Sequence, residues 1–161
     1  MKDATVLFSH GSLLCGAGEA LRAHAERLRA QGLTPLVAVG YLNYSEPAFI
    51  DAVAECVEAG ATRILVTPYF LVPGYFVKVD LPKAVAEAQS RFPEVVFVVA
   101  EAICFDERLA DAVIESANGA VGPSGWREDL RRASQFCRPN VLCPLFGTPN
   151  CPKQSVPVEK E

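Results

Sequence analysis

Three short segments of this 161-residue chain hold the side chains best suited to chemistry. The first is Phe8-Ser9-His10-Gly11-Ser12. His10 is one of two histidines, and an imidazole near neutral pKa ligates metals or accepts protons. A histidine beside a glycine also serves simply to cap a loop. The second segment, Tyr41-Leu42-Asn43-Tyr44-Ser45-Glu46-Pro47, carries one carboxylate. Glu46 suits proton or metal handling, and equally suits a helix start, where the macrodipole favours negative charge. The third runs from Pro68 to Asp80 and includes Gly74, Tyr75, Phe76 and Lys78. Lys78 suits a ligand carboxylate, and Asp80 reads as a helix cap.

Other chemistry-bearing residues read as structural. His24 falls mid-helix between Leu21 and Leu28. Cys15 reads as a packing residue at a helix start. Gly16-Ala17-Gly18 lacks the third glycine and the Lys-Ser/Thr pair of a phosphate loop. Cys137, Cys143 and Cys151 form a C-x5-C-x7-C set in a Pro-rich tail. Three thiolates there suit an iron–sulfur cluster or zinc, given a fourth ligand. A disulfide with a free thiol, or plain packing, remains open.

Alternating apolar runs and helical patterns must position these segments. Residues 4–9, 35–41, 62–70 and 95–100 read as strands. Helices are predicted from Gly16 to Gln31, from Ser45-Glu46-Pro47 to Gly60, from Asp80-Leu81-Pro82 onward, and from Asp106 to Ala117. The strands are near-continuous apolar runs, as in sheets covered on both faces. The predicted fold is therefore α/β: three layers around a four-stranded, mainly parallel sheet, followed by a short C-terminal helix and a Cys/Pro-rich tail. The expected domain spans 1–118, a linker 119–125 and the extension 126–161. All three chemical segments follow strands, at the carboxyl edge where such sheets bind ligands.

Composition narrows the function classes. The 15 basic and 19 acidic side chains leave a net charge of −4, and half of the residues are hydrophobic. Mild acidity argues against counterion-driven nucleic-acid binding, and no apolar run is long enough to span a bilayer. The N-terminus has no secretory-signal pattern, so a cytoplasmic location is expected.

The ordered motifs carry a resemblance. A strand ending in His10-Gly11-Ser12 is followed by the loop closing on Glu46-Pro47. Next comes Ala59-Gly60-Ala61-Thr62-Arg63-Ile64-Leu65-Val66, running into Pro68-Tyr69-Phe70-Leu71, and then Val77-Lys78-Val79-Asp80-Leu81-Pro82. Over residues 4–117 this set resembles the sirohydrochlorin chelatase family of small class II chelatases. The resemblance implies insertion of cobalt, iron or nickel into a tetrapyrrole without ATP, and homodimers enclosing the macrocycle. It implies His10 as metal ligand or general base, with Glu46 assisting catalysis. Ser12, Tyr41, Asn43, Gly74, Tyr75, Phe76 and Lys78 would contact the macrocycle, a flat apolar plate edged with carboxylates. The chain departs from the family twice. Phe76 stands where short members usually carry a second histidine, and Asn43 where many carry glutamate. The departures leave a second reading open: a tetrapyrrole- or metal-binding carrier without catalysis.

Overall fold

A computed structural model of the protein describes residues 2–12, 17–120, 122, 141, 144–148 and 151. The elements, in chain order, are β1 (Asp3–Ser9), α1 (Ala17–Ala30), β2 (Leu36–Tyr41) and α2 (Phe49–Glu58). They continue with β3 (Arg63–Pro68), a π-helical turn (Phe76–Asp80), α3 (Leu81–Arg91), β4 (Val96–Val99) and α4 (Glu107–Asn118). Four strands form one all-parallel sheet in the order β2-β1-β3-β4. This is the predicted α/β architecture. The predicted helix 126–136 and most of the linker lie outside the described residues.

Strand periodicity divides the core into two layers. Ala4, Val6 and Phe8 of β1, with Ile64 and Val66 of β3, pack against Phe49, Ala52, Val53 and Cys56 of α2 and Leu81 and Ala88 of α3. Leu7, with Val37, Val39 and Tyr41, packs against Leu21 and Ala25 of α1. Gly40 lets α2 lie close on β2: an added Cβ would come within 2.8 Å of the Phe49 Cα.

Three expectations need correcting. Pro47 does not occupy the first turn of α2. Its carbonyl accepts a hydrogen bond from the Tyr41 N–H, and the extended residue Ala48 is the cap. Asp80 caps nothing, because the chain is already helical from Phe76, and its carboxylate lies 3.9 Å from the Lys83 Nζ. Pro82 gives a physical reason for the wide turn. A proline lacks the N–H that would bond the Lys78 carbonyl, and its ring crowds that carbonyl. The preceding Leu81 N–H bonds the carbonyl of Phe76, five residues back. Finally, β4 is not covered on both faces. It is an edge strand, with Val96, Val98 and Val99 exposed, and α4 buries none of its residues.

Candidate active site

The strand order reverses beside β1, since β2 lies on one side of it and β3 on the other. Such a switch point opens a crevice beyond the carboxyl ends of the two diverging strands. His10 leaves β1 at this crevice, and the segment from Tyr69 to Phe76 leaves β3 there.

The loop carrying His10 is fastened to the loop after β2. Leu42 N–H donates to the Ser9 carbonyl (2.8 Å) and Asn43 N–H to the His10 carbonyl (2.9 Å). Ser12 N–H donates to the Ser45 Oγ (3.0 Å), and that hydroxyl lies 3.1 Å from the Ser12 carbonyl. Gly11 makes the approach possible. Its φ is +87°, a left-handed conformation, and a Cβ there would lie 1.8 Å from the Asn43 carbonyl oxygen.

His10 is half-buried, with Nδ1 3.2 Å from the Gly11 carbonyl oxygen. A carbonyl only accepts, so this bond places the ring proton on Nδ1 and leaves the Nε2 lone pair for a proton or a metal. The ring is flanked by aromatic groups. Phe76 lies 4.3 Å away between centroids, in a tilted stack, and Tyr44 lies 5.5 Å away, edge to face. Phe76 is braced by Phe70 at 6.1 Å and Tyr75 at 6.4 Å. Beside this cluster Leu71, Val72 and Tyr75 are more than half exposed, and Tyr44 and Tyr69 are also exposed. An apolar shelf of this kind on a surface marks a binding face.

The structure sorts the predicted site residues. Ser12 and Asn43 lie on the fastened loops, with Asn43 exposed. Gly74 accepts from the N–H groups of Val77 and Lys78, so it starts the turn that carries Phe76 and the exposed Lys78. Tyr41 is instead part of the core. It is 2% exposed, and its hydroxyl donates to the Gly18 carbonyl at 2.9 Å, so it positions the start of α1. Glu46 is exposed, and no hydrogen bond or ion pair joins it to His10 among the described residues. It lines a groove with Arg22, Glu26, Asp51 and Glu55, and its own carbonyl accepts from the Arg22 guanidinium at 2.7 Å. That groove encloses about 860 Å³ and does not include His10. Its charged lining does not match a flat apolar plate, so the shelf beside His10 is the better candidate.

Sequence reasoning missed Tyr44 and Tyr69 as ring partners. Tyr44 adopts φ +61° in the second loop, and Tyr69 packs 5.4 Å from His24, which makes that exposed histidine a neighbour of the shelf. The aromatic content of both loops was the available signal. Cys137 and Cys143 lie outside the described residues; Cys151 is a half-buried free thiol. Among the described residues no three His, Cys, Asp or Glu side chains converge as a metal site. No described helix is long and apolar enough to cross a membrane.

Known proteins resemble this chain in sequence and fold. A sirohydrochlorin cobaltochelatase from Methanocaldococcus jannaschii is 30% identical, over 73% of this chain and 99% of its own length. A sirohydrochlorin ferrochelatase from Priestia megaterium is 29% identical over 72% of this chain. The solved structure of the sirohydrochlorin chelatase SirB from Bacillus subtilis subspecies spizizenii, in complex with cobalt, superposes with a TM-score of 0.70 at 28% identity over 80% of this chain. The chain spans 44% of the Priestia protein and 59% of the SirB chain. Residues 4–120 match the family model CbiX, and the chain belongs to this family of sirohydrochlorin chelatases.

Proposed function

We propose that this protein inserts a divalent metal, cobalt or iron, into sirohydrochlorin on the shelf beside His10. The observation that carries the reading is the bond from His10 Nδ1 to the Gly11 carbonyl, which leaves Nε2 available next to an exposed aromatic surface. The macrocycle would lie against Tyr75, Phe76 and their apolar neighbours, with Lys78 meeting a peripheral carboxylate. During the reaction two pyrrole N–H bonds break, four metal–nitrogen bonds form and two protons leave. Nε2 takes one proton and passes it to water while the other goes to water directly, or Nε2 binds the incoming ion as it sheds water and both protons go to water. ATP has no part in this chemistry. Relatives whose names specify ferrochelatase and cobaltochelatase support both metals, and nickel belongs in the same comparison.

Two copies would act together. The match covers 44% of the Priestia relative but 99% of the Methanocaldococcus protein. Exposed Val96, Val98, Val113 and Ile114 offer apolar surface for pairing. Anaerobic metallation, followed by absorbance with each metal in turn, tests the activity. Acceleration over the metal-only rate supports it. Bound sirohydrochlorin without acceleration would replace it with the carrier reading, which the stacking of Phe76 on His10 would then explain.

A further inference from the structure

We propose that this site accepts the macrocycle before the metal, and that Phe76 imposes the order by denying His10 a second protein ligand. The inference rests on the sirohydrochlorin reading above. Divalent first-row ions are held by several donors at once, and selective sites gather imidazoles, thiolates or carboxylates around one point. Among the described residues the ring contacts of His10 are Phe76 at 4.3 Å and Tyr44 at 5.5 Å. Phe76 has no lone pair to offer. Its contacts with Phe70 and Tyr75, and its place in the π-helical turn, fix the ring in that position. Glu46, the carboxylate of the second loop, lines a separate groove with Arg22 and Asp51. No trio of metal-ligating side chains forms among the described residues.

A single imidazole holds a divalent ion only weakly against water. The protein alone therefore presents a surface suited to a flat apolar ligand and poor for a cation. Once the macrocycle is seated, its four nitrogens supply a preassembled donor set, and His10 adds either one more donor or a proton acceptor. Binding the ring thus creates the metal site. The consequence is compulsory order: sirohydrochlorin binds the free protein, and the ion binds the protein–macrocycle complex. Phe76 is in this sense a specificity residue, because it keeps free cations out of the cleft.

The test uses the tag-free full-length chain under anaerobic conditions. Co²⁺ alone is titrated by equilibrium dialysis into the wild type, His10→Ala, Phe76→His and the double variant. The cysteines are present in all four proteins, so differences report the cleft. We expect wild type and His10→Ala to bind Co²⁺ equally weakly. Phe76→His should gain about tenfold in affinity through a second imidazole, and the gain should vanish in the double variant. In rapid mixing, protein preloaded with sirohydrochlorin should metallate it without a lag when Co²⁺ is added, while preloading with Co²⁺ should give no advantage. Wild type binding Co²⁺ more tightly than His10→Ala, without macrocycle, would overturn the order while leaving the chelatase reading intact. Failure to bind or metallate sirohydrochlorin, whatever the Co²⁺ titrations show, would overturn that reading and the order with it.

Discussion

Replacing Gly11 with alanine should separate the two loops that hold His10. The new Cβ would lie 1.8 Å from the Asn43 carbonyl oxygen, whereas carbon–oxygen contacts settle at about 3.3–3.6 Å. One loop must therefore move by about 1.5 Å or more. The carbonyl cannot simply turn away, because it accepts from the Ser45 N–H at 2.7 Å and its residue's N–H is bound to His10. Moving it breaks the Asn43-to-His10 bond and the paired Ser12–Ser45 contacts, at about 0.5–1.5 kcal/mol for each hydrogen bond. The left-handed φ of +87° adds about 1–2 kcal/mol for any residue with a Cβ. The total, about 2.5–6.5 kcal/mol, is a large share of a typical domain stability. Urea unfolding should show a lower midpoint with an unchanged slope. The folded fraction should metallate sirohydrochlorin about a hundredfold more slowly, the scale of loss expected from a displacement of about 1 Å at a reacting group. A variant with the wild-type midpoint and rate would refute the claim that this close approach positions the histidine.

Further outcomes follow from the same structure. Cys56 is buried on the inward face of α2, and burial, then the neighbouring Glu55, pushes its thiol up to about 11, so iodoacetamide at neutral pH should modify exposed Cys104 and spare Cys56 until the protein unfolds. Peptide mapping checks this, and equal labelling of the two would contradict the packing. Asp106 caps α4 through the Arg108 N–H, and hydrogen bonds from Arg108 lower its carboxyl to about 2. A depressed folded value means that the cap's contribution is full above the unfolded value of 3.8 and is lost as pH falls through about 2. Amide exchange at Leu109 and Ala110, whose N–H groups bond the Asp106 carbonyl, should therefore quicken over that window, and a flat profile would count against the cap. Phe76→His should bind Co²⁺ without macrocycle, as argued above.

Much of the fold was legible because strand and helix periods were clean. The apolar run through Val6, Leu7 and Phe8, followed at once by His10, placed a histidine at the sheet's carboxyl edge, where the structure has it. The side-chain directions were harder to read. Tyr41 follows Val37 and Val39 at a period of two, and that alternation, rather than its place near the edge, decides that it faces α1 and the core. Glu46 is one residue beyond Ser45, which fastens the His10 loop, yet it lines a separate groove, because the chain bends through residues 42–47 before α2 begins. The helical turn carrying Phe76 begins ahead of the start expected at Asp80-Leu81-Pro82, and its cause, the missing N–H at Pro82, acts from the helix that follows. The apolar run of β4 looked like a covered strand, but periodicity does not distinguish an edge strand from a central one, and here its valines are exposed.

The most direct test compares wild type with His10→Ala in the initial rate of anaerobic Co²⁺ insertion into sirohydrochlorin, each measured against the rate without protein. Sirohydrochlorin binding is measured in parallel by its absorbance shift. If Nε2 of His10 handles the proton or the ion, the variant should still bind the macrocycle on the shelf and lose about 10²–10⁴-fold in rate. A variant that metallates as fast as the wild type would contradict the account and move the chemistry away from this histidine.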